Sequence, residues 1–165
     1  MSNPALVLLC EDSREDSFLL RHAFSKAGLS QMIVDVRNGR QAINYLSGGT
    51  FFGDRREHPL PALVLLDLRM PLMDGFEVLA WLQTRPELKT VPVVVLAASN
   101  LPVDIRKAKE LGAQDYFVKP QAWPDLIKLA QSLHDRWIKK PVVPCDPSRS
   151  RAVPRSTLEG PRSTT

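Results

Sequence analysis

Three short runs of apolar residues restrict the fold that this chain can adopt. They cover residues 5–10, 62–67 and 91–97, and the second ends in Asp67. None approaches the roughly 18 residues that a membrane span needs. Strands that are buried on both faces read as continuous apolar runs, and such strands belong to parallel sheets with helices on both sides. The runs therefore predict an α/β protein built on a parallel sheet.

Segments with helical spacing lie between the apolar runs. Residues 13–27, for example, place Phe18, Leu19, Ala23 and Phe24 on one stripe, and Gly28 follows as a stop signal. The predicted strands cover 5–10, 32–36, 62–67, 91–97 and 116–118, and the predicted helices 13–27, 40–46, 74–82, 102–111 and 123–138. This alternation predicts a doubly wound, five-stranded parallel sheet, a fold in which function lies at the carboxyl ends of the strands.

The end of the chain differs from the rest. Residues 141–165 hold five of the 14 prolines, many Ser and Thr, and few large apolar groups. We expect one domain over residues 1–140 and a disordered, basic tail over 141–165. The tail carries half of the net charge of +4, so the domain gives little reason to expect direct nucleic-acid binding. Two cysteines, no secretory leader and no apolar run that could span a membrane predict a cytoplasmic location.

Charged side chains follow three of the predicted strands. Glu11 and Asp12 follow the first strand, Asp67 ends the third, and Lys119 follows the fifth. Because the carboxyl ends of parallel strands meet at one edge of a sheet, these side chains are expected to lie together. Clustered carboxylates repel one another, and a hard divalent cation is the usual relief. Asp67 directly follows a run of apolar residues, a costly place for a charge that has no use there.

These motifs resemble the receiver domains of two-component response regulators. The matching segments are Glu11-Asp12, residues 65–75 (LLDLRMPLMDG) and residues 116–120 (YFVKP). The resemblance covers roughly residues 5–138 and implies a CheY-like (βα)5 fold, related to the flavodoxin fold. It also implies a phosphoacceptor signalling protein rather than an enzyme. A phosphatase with an aspartate nucleophile would need a second acid where Arg69 stands, and a flavin-binding loop would not place Glu11-Asp12 after strand one.

The resemblance implies a role for each motif residue. Asp67 would accept a phosphoryl group from a histidine kinase, and Lys119 would contact that group. Glu11, Asp12, Asp67 and the backbone carbonyl of Arg69 would hold Mg²⁺. The remaining residues of the motifs would shape loops: Pro71, Gly75 and Pro120, the last in this family usually through a cis bond.

One position departs from the family pattern. Ala97 stands where the family usually places the Thr or Ser whose hydroxyl binds the phosphoryl group, although the aromatic switch position is kept as Tyr116. Ser99 has a hydroxyl two residues later, displaced from the standard position, and Arg69 and Ser99 occupy positions that tune the lifetime of the phosphorylated form. Two hypotheses follow. Phosphorylation shifts the conformational population weakly, or the chain is a pseudo-receiver that docks or dimerises whatever its phosphorylation state.

The sequence also indicates partners. No output domain is visible, so we expect a single-domain regulator that acts through protein contacts, with homodimerisation through helix 4, strand 5 and helix 5. The long loop over residues 47–61, with Phe51 and Phe52, resembles stand-alone receivers of phytochrome-like kinases. Packing under the loop and contact with a partner are both open for this Phe pair.

Overall fold

The structure, a computed structural model, describes residues 5–29 and 31–139. Five strands alternate with five helices within these residues. The strands are β1 (Leu6–Cys10), β2 (Met32–Val36), β3 (Leu63–Leu66), β4 (Val93–Ala97) and β5 (Asp115–Val118). The helices are α1 (Arg14–Lys26), α2 (Gly39–Ser47), α3 (Gly75–Gln83), α4 (Pro102–Glu110) and α5 (Trp123–Leu133). A 3-10 turn (Pro86–Leu88) precedes β4, and a π-helical turn (His134–Ile138) continues α5.

All five strands are parallel and form one sheet in the order β2-β1-β3-β4-β5. Every residue of β1, β3 and β4 is buried, whereas the edge strands β2 and β5 are only partly covered. The three apolar runs are thus the three central strands, as a strand covered on both faces requires. The predicted doubly wound sheet is confirmed.

Helices cover both faces of the sheet. One core cluster joins α1 and α5 to alternate residues of the central strands, such as Leu9 and Leu65. The other joins α2, α3 and α4 to the intervening residues, such as Leu8 and Leu66. Successive strand residues therefore point into opposite layers, which fixes the register and brings the ends of β1 and β3 side by side.

Side-chain caps fix where α1 and α3 begin at the carboxyl edge of the sheet. The Ser13 hydroxyl accepts a hydrogen bond from the Asp16 amide at 3.2 Å and begins α1. Asp74 and Glu77 form a reciprocal capping box that begins α3. Such caps satisfy amides that have no partner within the helix.

The long loop between α2 and β3 is tied down by Arg55. Its guanidinium donates to the carbonyl oxygens of Tyr45, Leu46 and His58, and so satisfies the carboxyl end of α2. Phe52 packs against the buried Tyr45 ring, with centroids 5.0 Å apart, whereas 79% of Phe51 is exposed. Packing under the loop thus describes Phe52, and contact with a partner stays open for Phe51.

Leu72 adopts a backbone conformation that leucine rarely takes. Its φ is +65°, and the flanking Met73 amide donates to the Pro71 carbonyl at 2.7 Å, which closes a three-residue turn around it. A side chain at positive φ is strained, whereas glycine is not. Because 78% of Leu72 is exposed, its removal costs little packing.

Leu72→Gly is therefore expected to leave stability unchanged or to raise the free energy of unfolding by up to about 1 kcal/mol, after the extra freedom that Gly gives the unfolded chain is subtracted. Urea unfolding of both proteins measures the difference. Phe51→Gly is the matched control, because Phe51 is a loop residue that is 79% exposed and has an ordinary φ, and it should be destabilising. A loss at Leu72 as large as the loss at Phe51 would show that the turn is not strained.

The chain end differs from the predicted boundaries at one point and lies outside the described residues at another. The last helix was expected over 123–138, but its α-helical part ends at Leu133 and the π-helical turn takes the rest. The predicted tail, residues 141–165, lies outside the described residues, so the domain boundary stays a prediction. Among the described residues, none of the helices is both long and apolar enough to cross a membrane.

Candidate functional site

Three carboxylates meet where β1 and β3 end. Glu11 and Asp12 directly follow β1 and Asp67 directly follows β3, and each offers an oxygen within 4.8 Å of the others. The Asp67 amide donates to the Cys10 carbonyl at 3.0 Å, which extends the pairing of the two strands up to the acids. Glu11 and Asp67 are only 4% and 6% exposed, whereas Asp12 is exposed. The predicted acidic cluster therefore forms, with one side open to solvent.

Lys119 reaches into this cluster from the end of β5. Its amide donates to the Ala97 carbonyl at 2.8 Å, which fixes the backbone beside β4. Its ammonium donates to Glu11 at 2.6 Å, to Asp16 at 2.9 Å and to Asp67 at 3.1 Å. The sequence predicts that Lys119 lies near Asp67. The structure shows that its ammonium also contacts Glu11 and Asp16.

Asp16 is the residue that the sequence analysis missed. It lies in the first turn of α1, five residues after Glu11, and its side chain is 43% exposed. The available signal was the N-cap: a helix that begins after Ser13 places its first turn next to the end of β1. The periodicity of α1 gave no reason to direct Asp16 towards a lysine more than 100 residues later.

The charges in the cluster perturb one another. Burial raises the pKa of Glu11 to about 7, although hydrogen bonds from Lys119 and the Ser13 amide act in the opposite direction. Burial alone would lower the pKa of Lys119, but hydrogen bonds to Glu11 and Asp16 and the charge of Asp67 outweigh it and raise that pKa. Lys119 is therefore a cation at neutral pH, whereas burial works against the negative charge on Glu11.

The Glu11 pKa predicts a pH-dependent stability in metal-free buffer. A carboxyl whose pKa is raised by folding from 4.5 to about 7 favours the folded state while it is protonated, and this contribution is lost as the pH rises through about 7. Glu11→Gln lacks this loss. Relative to wild type, its free energy of unfolding should therefore gain roughly 1–3 kcal/mol as the pH rises from 5 to 8. Urea unfolding at the two pH values measures it. The exposed Glu15→Gln should show no such gain, and an equal change in both variants would refute the prediction.

The loop after β3 is held close to Asp67. The Arg69 amide lies 3.3 Å from an Asp67 carboxylate oxygen, and the Gly75 amide donates to the Leu68 carbonyl at 3.0 Å. A Cβ on Gly75 would stand 2.3 Å from the Asp67 carbonyl oxygen. Only glycine fits this approach, so Gly75 shapes the loop through its lack of a side chain, and Pro71 begins the turn around Leu72.

Neither Ala97 nor Ser99, at the end of β4, offers a hydroxyl to the cluster. Ala97 is fully buried, and the Ser99 hydroxyl donates to Asp104 in α4 at 2.5 Å. The Tyr116 hydroxyl donates to the Ser99 carbonyl at 2.8 Å, which ties β5 to the loop before α4. Ser99 thus does not replace the hydroxyl that Ala97 lacks.

One expectation for Pro120 is wrong. No cis peptide bond occurs within residues 5–29 and 31–139, so the bond between Lys119 and Pro120 is trans. The trans isomer is the intrinsically favoured one before proline, by about 0.5–1 kcal/mol. In this trans loop the Lys119 ammonium still reaches Glu11, Asp16 and Asp67.

The donor set fits a hard divalent cation. Glu11, Asp12 and Asp67 supply carboxylate oxygens, the ligands that such cations prefer. With Asp16, the cluster holds four carboxylates and one ammonium, so a divalent ion would relieve the repulsion among the acids. Asp12 is exposed, which leaves an approach from solvent.

The fold and this site define a class of protein, and comparison with known families agrees. Residues 7–131 match the family model described as the response regulator receiver domain. The match covers most of the chain. The chain therefore belongs to this family of two-component signalling proteins.

The chain is similar to several response regulators of known structure. Response regulator Rcp1 of Synechocystis is 34% identical over 141 residues, which cover 86% of this chain and 94% of Rcp1; a crystal structure of its Mn²⁺-bound form superposes with a TM-score of 0.73. The phosphorylated cyanobacterial phytochrome response regulator RcpA is 31% identical, with a TM-score of 0.76 over 83% of this chain and 96% of RcpA. RPA3017, a regulator in red light signalling of R. palustris, is 33% identical, with a TM-score of 0.77 over 82% of this chain and 94% of its own.

Proposed function

We propose that this response regulator accepts a phosphoryl group on Asp67 from a sensor histidine kinase, in a reaction that depends on Mg²⁺. The observation that carries the proposal is the buried Asp67 carboxylate, 3.1 Å from the Lys119 ammonium and grouped with Glu11 and Asp12. The phosphorylated form of RcpA and the Mn²⁺-bound form of Rcp1 support the same chemistry in relatives.

Each residue of the site has a part in this transfer. A carboxylate oxygen of Asp67 attacks phosphorus, the bond between phosphorus and the kinase histidine breaks, and the histidine nitrogen keeps the electron pair. Lys119 stabilises the negative charge on a phosphoryl oxygen. Glu11, Asp12, Asp67 and the Arg69 carbonyl would hold Mg²⁺, which supplies charge neutralisation at the phosphoryl oxygens when bound.

The output of phosphorylation depends on the end of β4. Ala97 cannot donate the hydrogen bond of the usual hydroxyl, and such a bond to a charged acceptor contributes about 1.5–3 kcal/mol. We infer a weak shift between conformations, read out through protein contacts that include a homodimer of the α4, β5 and α5 face. The second hypothesis, a pseudo-receiver that docks regardless of phosphorylation, is favoured by this one observation at Ala97.

The kinase that we propose as donor is phytochrome-like. RcpA is a phytochrome response regulator by name, and RPA3017 acts in red light signalling. The long α2–β3 loop, with the exposed Phe51, offers a surface for such a partner.

The two hypotheses are separated by one experiment. The protein is incubated with acetyl phosphate, with Mg²⁺ or with a chelator, and intact mass and size-exclusion elution are measured on the same samples. We expect a gain of one phosphoryl group that requires Mg²⁺ and a small change in elution. An adduct without a change in elution would place the output outside self-association. An unmodified protein in both conditions would leave only the pseudo-receiver hypothesis.

A further inference from the structure

The Lys119 ammonium has one partner that lies outside the group of Glu11, Asp12 and Asp67. An ammonium has three N–H donors, and here three carboxylates lie within hydrogen-bond distance of it: Glu11, Asp67 and Asp16. Glu11 and Asp67 belong to the group that fits a divalent cation. Asp16 does not belong to that group, and its contact with Lys119 links α1 to the loop after β5.

We propose that Asp16 is a positioning residue that holds the Lys119 ammonium beside Asp67 while Glu11 and Asp67 serve the metal ion and the phosphoryl group. The inference rests on the proposed function, because Glu11 and Asp67 are drawn away from Lys119 only when the metal ion and the phosphoryl group bind. Asp16 is then the partner that Lys119 retains.

Lys119 and Asp16 differ in flexibility in a way that suits this role. Lysine carries its charge on a flexible four-carbon stem, so its ammonium needs a restraint to stay in one place. Asp16 has a short side chain on the first turn of α1, and its backbone amide donates to the Ser13 hydroxyl at 3.2 Å. The position near the amino end of a helix also favours a carboxylate. Asp16 is therefore a fixed point, and Lys119 is the group that it fixes.

Loss of the Asp16 charge has a definite direction. In Asp16→Asn the ammonium would rest more heavily on Glu11 and Asp67, with which a divalent cation must then compete. The ammonium would also repel the cation with less compensation, and the cluster as a whole would be less negative. All three effects weaken metal binding, and unit charges at these separations correspond to about a threefold to tenfold rise in the Mg²⁺ dissociation constant.

The test follows Lys119 directly, in protein saturated with Mg²⁺, where Glu11 and Asp67 serve the metal ion. The two ε protons of a held lysine give separate signals in a proton–carbon-13 NMR correlation spectrum, and free rotation averages them. We expect separate Lys119 ε-proton signals in wild type, averaging in Asp16→Asn, and recovery in Asp16→Glu. Glu15→Gln is the matched control, because Glu15 is an exposed acid of the same helical turn. Its Lys119 signal should be that of wild type.

Calorimetric titration with Mg²⁺ then completes a double-mutant cycle. Asp16→Asn should weaken binding in the wild-type background, and its effect should be smaller in a Lys119→Met background, where only the direct loss of negative charge remains. An unchanged Lys119 signal in Asp16→Asn, or an equal effect in both backgrounds, would overturn the proposal. These readouts do not use phosphotransfer, so a protein that fails to take up a phosphoryl group on Asp67 refutes the proposed function separately.

Discussion

Replacement of Asp67 with Asn is expected to abolish the phosphoryl adduct completely. The amide that replaces the carboxylate has no anionic oxygen to attack phosphorus. It also keeps the size of the side chain, so the fold should be retained. Intact mass after incubation with acetyl phosphate and Mg²⁺ measures the loss, and circular dichroism of the same sample verifies the fold.

A matched control separates loss of the acceptor from loss of any acid. Asp54→Asn makes the same chemical change in the α2–β3 loop, where Asp54 pairs with Arg56, outside the acidic cluster. This variant should gain one phosphoryl group as wild type does. A persistent adduct in Asp67→Asn would mean that another residue accepts the group, and the assignment of Asp67 would be withdrawn.

Gly75→Ala is expected to be the most damaging small substitution near the site. The new Cβ would lie 2.3 Å from the Asp67 carbonyl oxygen and 2.9 Å from the Leu68 Cα. Both are backbone atoms that cannot move alone, so the β3–α3 loop must shift. We expect a loss of about 1–3 kcal/mol in the free energy of unfolding, together with slower phosphorylation because Asp67 is displaced. Urea unfolding and the rate of adduct formation measure the two effects.

Gly53→Ala provides the comparison for Gly75→Ala. A Cβ on Gly53 would meet only the Gly48 carbonyl oxygen at 3.5 Å, an ordinary contact. This substitution should change stability little, or raise it by less than about 1 kcal/mol through the unfolded chain. If the two variants lose the same free energy, the close approach at Gly75 is not what holds the loop.

The sequence was enough to predict the sheet and the acidic cluster because both depend on local patterns. Continuous apolar runs mark β1, β3 and β4 as buried on both faces, and parallel strands necessarily bring their carboxyl ends to one edge. Glu11, Asp12 and Asp67 therefore had to meet. The family resemblance then supplied a role for each residue, and the match of residues 7–131 to the receiver domain family confirms that resemblance.

The features that could not be predicted depend on how separate elements are oriented. Asp16 contacts Lys119 because the first turn of α1 meets the end of β5 at the carboxyl edge of the sheet, a relation that the periodicity within α1 does not contain. The positive φ of Leu72 follows from closure of a turn between β3 and α3 rather than from leucine's own preference. The expected cis bond at Pro120 came from the family pattern, and the loop is trans instead.

The most direct test of the account is chemical mapping of the phosphoryl group. The protein is treated with acetyl phosphate and Mg²⁺, then with borohydride, which reduces an aspartyl phosphate to homoserine, and its peptides are sequenced by mass spectrometry. We expect homoserine at position 67, absent when Mg²⁺ is chelated. Homoserine at another acidic position, or a phosphoryl group on a side chain that borohydride does not reduce, would contradict it.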